Sequence, residues 1–212
     1  MSAETAAGRD WPRIALWLVG ATLAYNVVEA VIALASGAAA DSIALIGFGL
    51  DSGIEVAAAA VMLWRISLEA RGVRGERLER AERTVRRFIG GTFLALAAYV
   101  TAQAGFTLWL RDAPSESLVG IALAVASLVI MPLVAWGKLR AAREIGSAAL
   151  RAEARETLAC SYLSFALLLG LAANGTAGWW WADPLAALAM VPWLVKEGRE
   201  GLSGEACEDA CA

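Results

Sequence analysis

The sequence predicts an all-α integral membrane protein with six transmembrane helices and both termini in the cytosol. Of the 212 residues, 59% are hydrophobic and 18% are charged. Soluble domains are about 45–50% apolar and about 25% charged. The apolar residues form long runs, and the basic residues collect in the segments that join alternate runs. This distribution is typical of a chain that crosses a bilayer several times.

Six apolar runs are candidates for transmembrane helices, each of which needs about 20 apolar residues. The first five lie at about 12–34, 43–64, 88–110, 118–137 and 157–174. The sixth, at 183–195, is short. It becomes long enough if the tryptophans at 179–181 lie at the headgroup level and Asp183 and Pro184 begin the helix. The first run is too long for the apolar core of a signal peptide, so we expect it to remain in the mature protein.

The basic residues predict the orientation of these helices. Seventeen of the 18 Lys and Arg residues lie near the N-terminus, in the segments 65–87 and 138–155, or after the sixth run. By the positive-inside rule these parts face the cytosol, and only Arg111 faces outward. We therefore divide the chain into an N-terminal tail (1–11), a six-helix transport domain (12–197) and an acidic cytosolic tail (198–212). The segment from Ser67 to Arg87 is predicted to be a solvated, charged helix.

Composition also excludes several classes of function. A net charge of −3 argues against nucleic-acid binding, which requires a basic surface. The chain has no histidine, so no mechanism can use an imidazole as a base or a metal ligand. No serine is placed as a nucleophile beside a plausible base, and we do not expect an enzyme. The three cysteines, Cys160, Cys207 and Cys211, do not form the pattern of a disulfide framework, and no disulfide is predicted.

Two carboxylates in the second run are the strongest functional signal. Asp51 and Glu55 lie at its centre, one helical turn apart, so their Cβ atoms are about 6 Å apart on one face. An ionised group at this depth costs at least about 2.5–3.5 kcal/mol. Without a metal, repulsion favours a proton on at least one carboxylate, whereas a bound cation allows both to ionise. This exchange is the chemical basis of proton-coupled metal transport.

The fifth run begins with a second pair of potential ligands, because Glu156 and Cys160 have the same spacing of four residues. Together with Asp51 and Glu55 they form a set of three carboxylates and one thiol, which suits Zn²⁺, Cd²⁺ or another soft-to-borderline metal. Two alternatives stay open at this point. Cys160 can be a small apolar residue in a helix core, and Glu153 can take the place of Glu156.

Other polar residues in or near the runs have several possible roles. Asn26 and Glu29 form a polar stripe in the first run, where Glu29 can be a ligand, a proton relay or a structural group. Asp41 and Asp183 lie at outer boundaries and favour capping or interface roles. The tail with Cys207 and Cys211 can bind a soft cation, but its composition favours disorder.

These patterns resemble the cation diffusion facilitator, or cation efflux, family of divalent-metal transporters. The resemblance covers about residues 12–200 and includes the phrases Asp41–Leu45, Asp51–Glu55 and Trp181–Leu188. Family members place two acidic residues one turn apart on the second helix, and Asp51 and Glu55 match those positions. Glu156 and Cys160 stand where the family has His or Asp followed by Asp. The usual cytosolic C-terminal domain is absent from the sequence, so we expect a short form of the family.

The resemblance implies a secondary transporter that works by alternating access. We expect it to lie in a bacterial inner membrane and to export a divalent metal, such as zinc or cadmium, in exchange for protons. The expected partners are therefore divalent metal ions, protons and the lipid bilayer. A second copy of the chain, in a homodimer, is a further candidate partner. No cofactor is expected, since the metal is cargo. The alternative function is a membrane-embedded metal sensor or scaffold that binds ions without moving them.

Overall fold

The computed structural model describes residues 10–39, 43–111 and 118–203. These residues form six helices, which are α1 (Trp11–Ala39), α2 (Ile43–Ala70), α3 (Glu76–Leu110), α4 (Leu118–Ile145), α5 (Ala148–Ala177) and α6 (Ala182–Ser203). The described part of the chain contains no strand. The prediction of an all-α protein built from six successive helices is therefore confirmed.

The surface of the bundle is apolar over most of its length. Helices α1 to α4 are long and apolar enough to cross a membrane. Large apolar side chains on them are exposed, among them Trp17, Trp109, Leu118 and Trp136. Such a surface suits contact with lipid. Helices α5 and α6 are less apolar, because charged residues occupy the half of each helix near the α4–α5 turn.

Helices α2 and α5 occupy the centre of the bundle. Helix α2 packs against α1, α3 and α5, and α5 packs against α2, α3, α4 and α6. Helices α3 and α6 form a close pair beside the other four. A Cβ atom added at Gly201 would lie 2.7 Å from the Cα atom of Gly90, so only glycine permits this approach. The arrangement places the central acidic residues of α2 opposite α5.

The turn between α4 and α5 fixes how these two helices face each other. Gly146 has a positive φ of 67°, and the Ser147 N–H donates to the Ala142 carbonyl, which closes α4 with a Schellman motif. Ser147 then caps α5 by accepting a hydrogen bond from the Leu150 N–H at 3.1 Å. The turn is therefore so short that the last turns of α4 lie beside the first turns of α5.

We call the end of the bundle with the α2–α3 and α4–α5 turns the cytosolic end, following the positive-inside rule, and the opposite end the outer end. Glu82 ties three helices together at the cytosolic end. It accepts hydrogen bonds from Arg65 at 2.6 Å, from Ser147 at 2.8 Å and from the Ala149 N–H at 2.8 Å. The prediction of a solvated, charged helix over 67–87 was thus wrong in two respects: residues 71–75 form the turn between α2 and α3, and Glu82 is partly buried because its carboxylate caps α5.

Every helix continues beyond its predicted apolar run. Helix α2 ends at Ala70 rather than at 64, α3 begins at Glu76 rather than at 88, and α5 begins at Ala148 rather than at 157. Hydropathy detects only the part of a helix that matches the hydrocarbon, whereas the backbone hydrogen bonds continue into the polar region. The domain limits at 11/12 and 197/198 stay predictions, and α6 continues to Ser203.

Candidate functional site

The two acids of α2 lie side by side in the interior of the protein. Asp51 and Glu55 are both 4% exposed. Asn26 of α1 donates a hydrogen bond from its amide nitrogen to Glu55 Oε2. Asn26 therefore holds Glu55 in place from the neighbouring helix. The predicted juxtaposition of Asp51 and Glu55 on one helix face is present in the structure.

Cys160 of α5 lies against both of these carboxylates. Its thiol is buried, free and within hydrogen-bonding reach of Asp51 and Glu55. Glu156 is also buried, one turn nearer the cytosolic end, and lies within electrostatic range of both α2 acids. The Thr92 hydroxyl lies near the Glu156 carboxylate and donates to the Ile89 carbonyl at 2.7 Å.

Several oxygens of this cluster have no hydrogen-bond partner although they are buried. They are Asp51 Oδ2, Glu55 Oε1 and both carboxylate oxygens of Glu156. Buried carboxylate oxygens are normally paired or bound to a cation, because desolvation is costly. In the described residues, no three acidic, Cys or His side chains form a closed metal-binding group. The four residues are thus neighbours, and the three acids among them have unpartnered oxygens. To bind one cation together, their side chains would have to move closer to one another.

Glu29 of α1 is a buried carboxylate in a different environment. Its Oε2 accepts a hydrogen bond from Ser52 at 2.8 Å, and its Oε1 accepts hydrogen bonds from Ser127 and, at 3.1 Å, from Tyr25. The donors come from α1, α2 and α4, so Glu29 joins three helices. Both of its oxygens are occupied, which favours the structural role among the three that the sequence left open.

A cavity of about 90 Å³ lies on the outer side of the acidic cluster and is lined by Asp51. Asp51 and Gly47 of α2 line it together with Tyr99 and Gln103 of α3. The lining continues to Pro184 near the start of α6. The cavity therefore reaches Asp51 from the outer side.

A buried ion pair lies on the cytosolic side of the cluster. Lys138 Nζ of α4 lies 2.6 Å from Glu153 Oε1 of α5 and donates to Thr157 Oγ1 at 3.1 Å. Lys138 is 0% exposed, and Glu153 is 2% exposed. The sequence analysis used Lys138 only to assign the cytosolic side, and in the structure it is a buried residue of α4, which continues past it to Ile145.

Comparison with known proteins identifies the family. The family model described as the cation efflux transmembrane domain matches residues 19–203 of the sequence, which is most of the chain. The chain belongs to the cation efflux family. An uncharacterized transporter of Synechocystis sp. is 30% identical over 176 residues. That alignment covers 80% of this chain and 56% of the relative, so the chain spans little more than half the length of the transporter it resembles.

Membership of the cation efflux family agrees with the resemblance that the residues carry. It also confirms the six helices as a transmembrane domain of a transport family, including α5 and α6, which lie within the matched region. The family description and the name of the relative support cation transport. Neither of them names a metal or a counter-ion.

Some of the residues that the sequence analysis singled out fall outside the described structure. Asp41 and the tail with Cys207 and Cys211 lie there, and the side chain of Asp183 is likewise not described. Sequence reasoning missed the hydroxyl groups around Glu29 on Tyr25 and Ser127. It also missed Lys138, although Gly146 and Ser147 form a recognisable stop and start signal that would have predicted a short turn and a longer α4.

Proposed function

We propose that this protein is a secondary transporter that exports a divalent metal ion from the cytosol in exchange for protons. Its binding site consists of Asp51 and Glu55 on α2 and Glu156 and Cys160 on α5. The observation that carries the proposal is the set of buried, unpartnered carboxylate oxygens on these helices. A divalent cation would satisfy them and offset their mutual repulsion.

The chemistry of the four groups favours a zinc-like or cadmium-like ion. Three carboxylates and one thiolate suit a tetrahedral Zn²⁺ or Cd²⁺, and the sulfur disfavours Mg²⁺ and Ca²⁺. The thiol of Cys160 lies within hydrogen-bonding reach of both α2 acids. The same ion can therefore contact α2 and α5 through Cys160 and either carboxylate.

Exchange for protons is expected from the charge of the carboxylates themselves. Several carboxylates buried this close together cannot all remain ionised without a counter-charge. Metal binding requires deprotonated ligands, so each metal that binds releases protons, and protons that return on the outer side favour metal release. The cavity that reaches Asp51 from the outer end supports a release route on that side.

The test is metal flux in proteoliposomes that contain the purified full-length chain. Cd²⁺ or Zn²⁺ transport is measured with a metal-sensitive dye, with and without an imposed pH gradient. We expect flux that the gradient accelerates, and we expect Asp51→Asn to reduce it to the level of empty liposomes. Glu76→Gln is the matched control, because Glu76 is an acid with an 85% exposed side chain.

The same preparation separates transport from a sensor or scaffold role. A sensor would bind Cd²⁺ in detergent yet show no flux under any gradient. Binding without flux would overturn the transport proposal, and the absence of both would overturn the metal site as well.

Orientation is tested by labelling single cysteines in cells, in a variant without the native thiols. Cysteine at position 114 should react with an impermeant reagent from outside, and Arg77→Cys should react only after the membrane is opened. Arg77 is exposed on α3 near the cytosolic end, which makes it a suitable reporter. The reverse pattern would invert the topology and contradict export.

A further inference from the structure

Lys138 has no role in the proposed metal site, yet its side chain is completely buried. It lies on α4, beside the first turns of α5, with its ammonium group on Glu153 and Thr157. Buried ion pairs contribute little stability, because desolvation of both groups offsets their attraction. The pair therefore needs an explanation other than stability.

The ammonium group lies within electrostatic range of the proposed site. Thr157 follows Glu156 in the chain, and Glu55 is within electrostatic range of Lys138. Glu153, in turn, is within electrostatic range of Glu156. Lys138 thus supplies a positive charge on the cytosolic side of the acidic cluster.

Glu153 can accept a further hydrogen bond in addition to its pair with Lys138, since its Oε2 is buried without a hydrogen-bond partner. The Lys138 ammonium makes one short contact, to Glu153, and attracts the Glu55 carboxylate over a longer distance. A divalent ion bound at Glu55 and Glu156 would be repelled by the same ammonium, because like charges interact strongly where water is excluded.

We propose that Lys138 is a tethered counter-cation that competes with the transported metal for the carboxylates of the site. When the site is empty, the ammonium offsets part of the negative charge from the cytosolic side. When a metal binds, the ammonium is held away from Glu55 by Glu153, which makes Glu153 a positioning residue for Lys138. This inference rests on the proposed function, because it takes the cluster to be the metal site.

The competition is measured by calorimetric titration of Cd²⁺ into the purified full chain. All proteins carry Cys207→Ser and Cys211→Ser, so that the tail thiols cannot bind the metal. We expect Lys138→Met to bind Cd²⁺ at least about tenfold more tightly, because a repelling charge is gone. Lys138→Arg keeps the charge and should stay within about threefold of the parent.

A structural role for Lys138 predicts the opposite result. Its loss would leave Glu153 unpaired, loosen the packing of α4 on α5 and weaken metal binding. Weaker or unchanged binding in a folded Lys138→Met protein would therefore overturn the proposal.

A second pair of variants serves if Lys138→Met fails to fold. Glu153→Gln frees the Lys138 ammonium to pair with the Glu55 carboxylate. Because the metal must then displace the ammonium, we expect Cd²⁺ affinity to fall by about tenfold. Adding Lys138→Met to Glu153→Gln should restore most of this loss. A double variant that binds no better than Glu153→Gln would contradict the competition.

The outcome for the parent protein separates this inference from the proposed function. If the parent binds no Cd²⁺, the metal site itself is wrong, and the role of Lys138 falls with it. If the parent binds Cd²⁺ and neither comparison shows tighter binding without the ammonium, only the role of Lys138 is wrong.

Discussion

A single buried acid, Glu29, lies close to a cluster of three others in this protein. The two groups, one of them a single residue, differ in whether their oxygens have hydrogen-bond partners. Glu29 accepts hydrogen bonds from Tyr25, Ser52 and Ser127. The carboxylates of Asp51, Glu55 and Glu156 each retain at least one buried oxygen without a partner. Both groups are deeply buried, so burial alone does not distinguish a structural acid from a ligand.

The difference lies in the neighbouring helices. Glu29 is surrounded by hydroxyl groups, which satisfy a carboxylate without any ion. The acids of α2 and α5 face one another and a thiol, so their partners are mostly acceptors like themselves. A cluster with more acceptor oxygens than donors is costly in a bilayer unless a cation or protons complete it.

The largest expected effect is the loss of a ligand from the α2–α5 cluster. Asp51→Asn or Glu55→Gln should reduce metal flux by more than about 100-fold, since even residues that only orient a metal ligand typically contribute 10–100-fold to affinity. Flux is measured in proteoliposomes, and folding is checked by gel filtration and thermal unfolding.

Glu29→Gln is the comparison that sharpens this result, because it neutralises an equally buried acid that already has donors. We expect flux to stay within about tenfold of the parent. If Glu29→Gln were as inactive as Asp51→Asn while still folded, Glu29 would be a ligand or proton relay, and the contrast between the two groups would be lost.

Cys160→Asp should change metal preference while flux itself persists. The variant has four carboxylates, so we expect the ratio of Cd²⁺ to Mn²⁺ transport to fall by at least about tenfold, because thiolate favours soft ions. The measurement is a competition series with several metals on parent and variant. An unchanged ratio would make Cys160 a packing residue and direct attention to Glu153 or Glu29 as the missing ligand.

The smallest effect is expected at the satisfied acid. Ser127→Ala removes one donor from Glu29 and should lower the free energy of unfolding by about 1 kcal/mol. Metal affinity should change by less than about threefold, since the Ser127 hydroxyl bonds to Glu29 and Tyr25, which are not proposed ligands. A large loss of affinity in a stable Ser127→Ala protein would show that the two groups act as one site.

The helices themselves were predictable from the sequence, because long apolar runs and the basic segments between them carry the signal. The limits of the helices were not, since α5 begins nine residues before its apolar run with charged side chains such as Arg151 and Glu153. These residues are helical because Ser147 caps α5 and Lys138 pairs with Glu153, and hydropathy detects neither contact.

The acids of the site were also predictable, because a spacing of four residues places Asp51 beside Glu55 within one helix. Their surroundings were not, since they depend on the register between helices far apart in the chain. Ser127 reaches Glu29 from α4, and Asn26 reaches Glu55 from α1. No spacing rule within a single helix reports such contacts.

The central claim is that Cys160 and the acids of α2 and α5 bind one metal ion together. X-ray absorption spectroscopy at the zinc edge tests it directly, on purified protein with one bound Zn²⁺ and with Cys207→Ser and Cys211→Ser. We expect one sulfur neighbour at about 2.3 Å and three oxygen neighbours at about 2.0–2.2 Å, with the sulfur lost in Cys160→Ser. A shell of oxygen atoms alone in the parent protein would contradict the account.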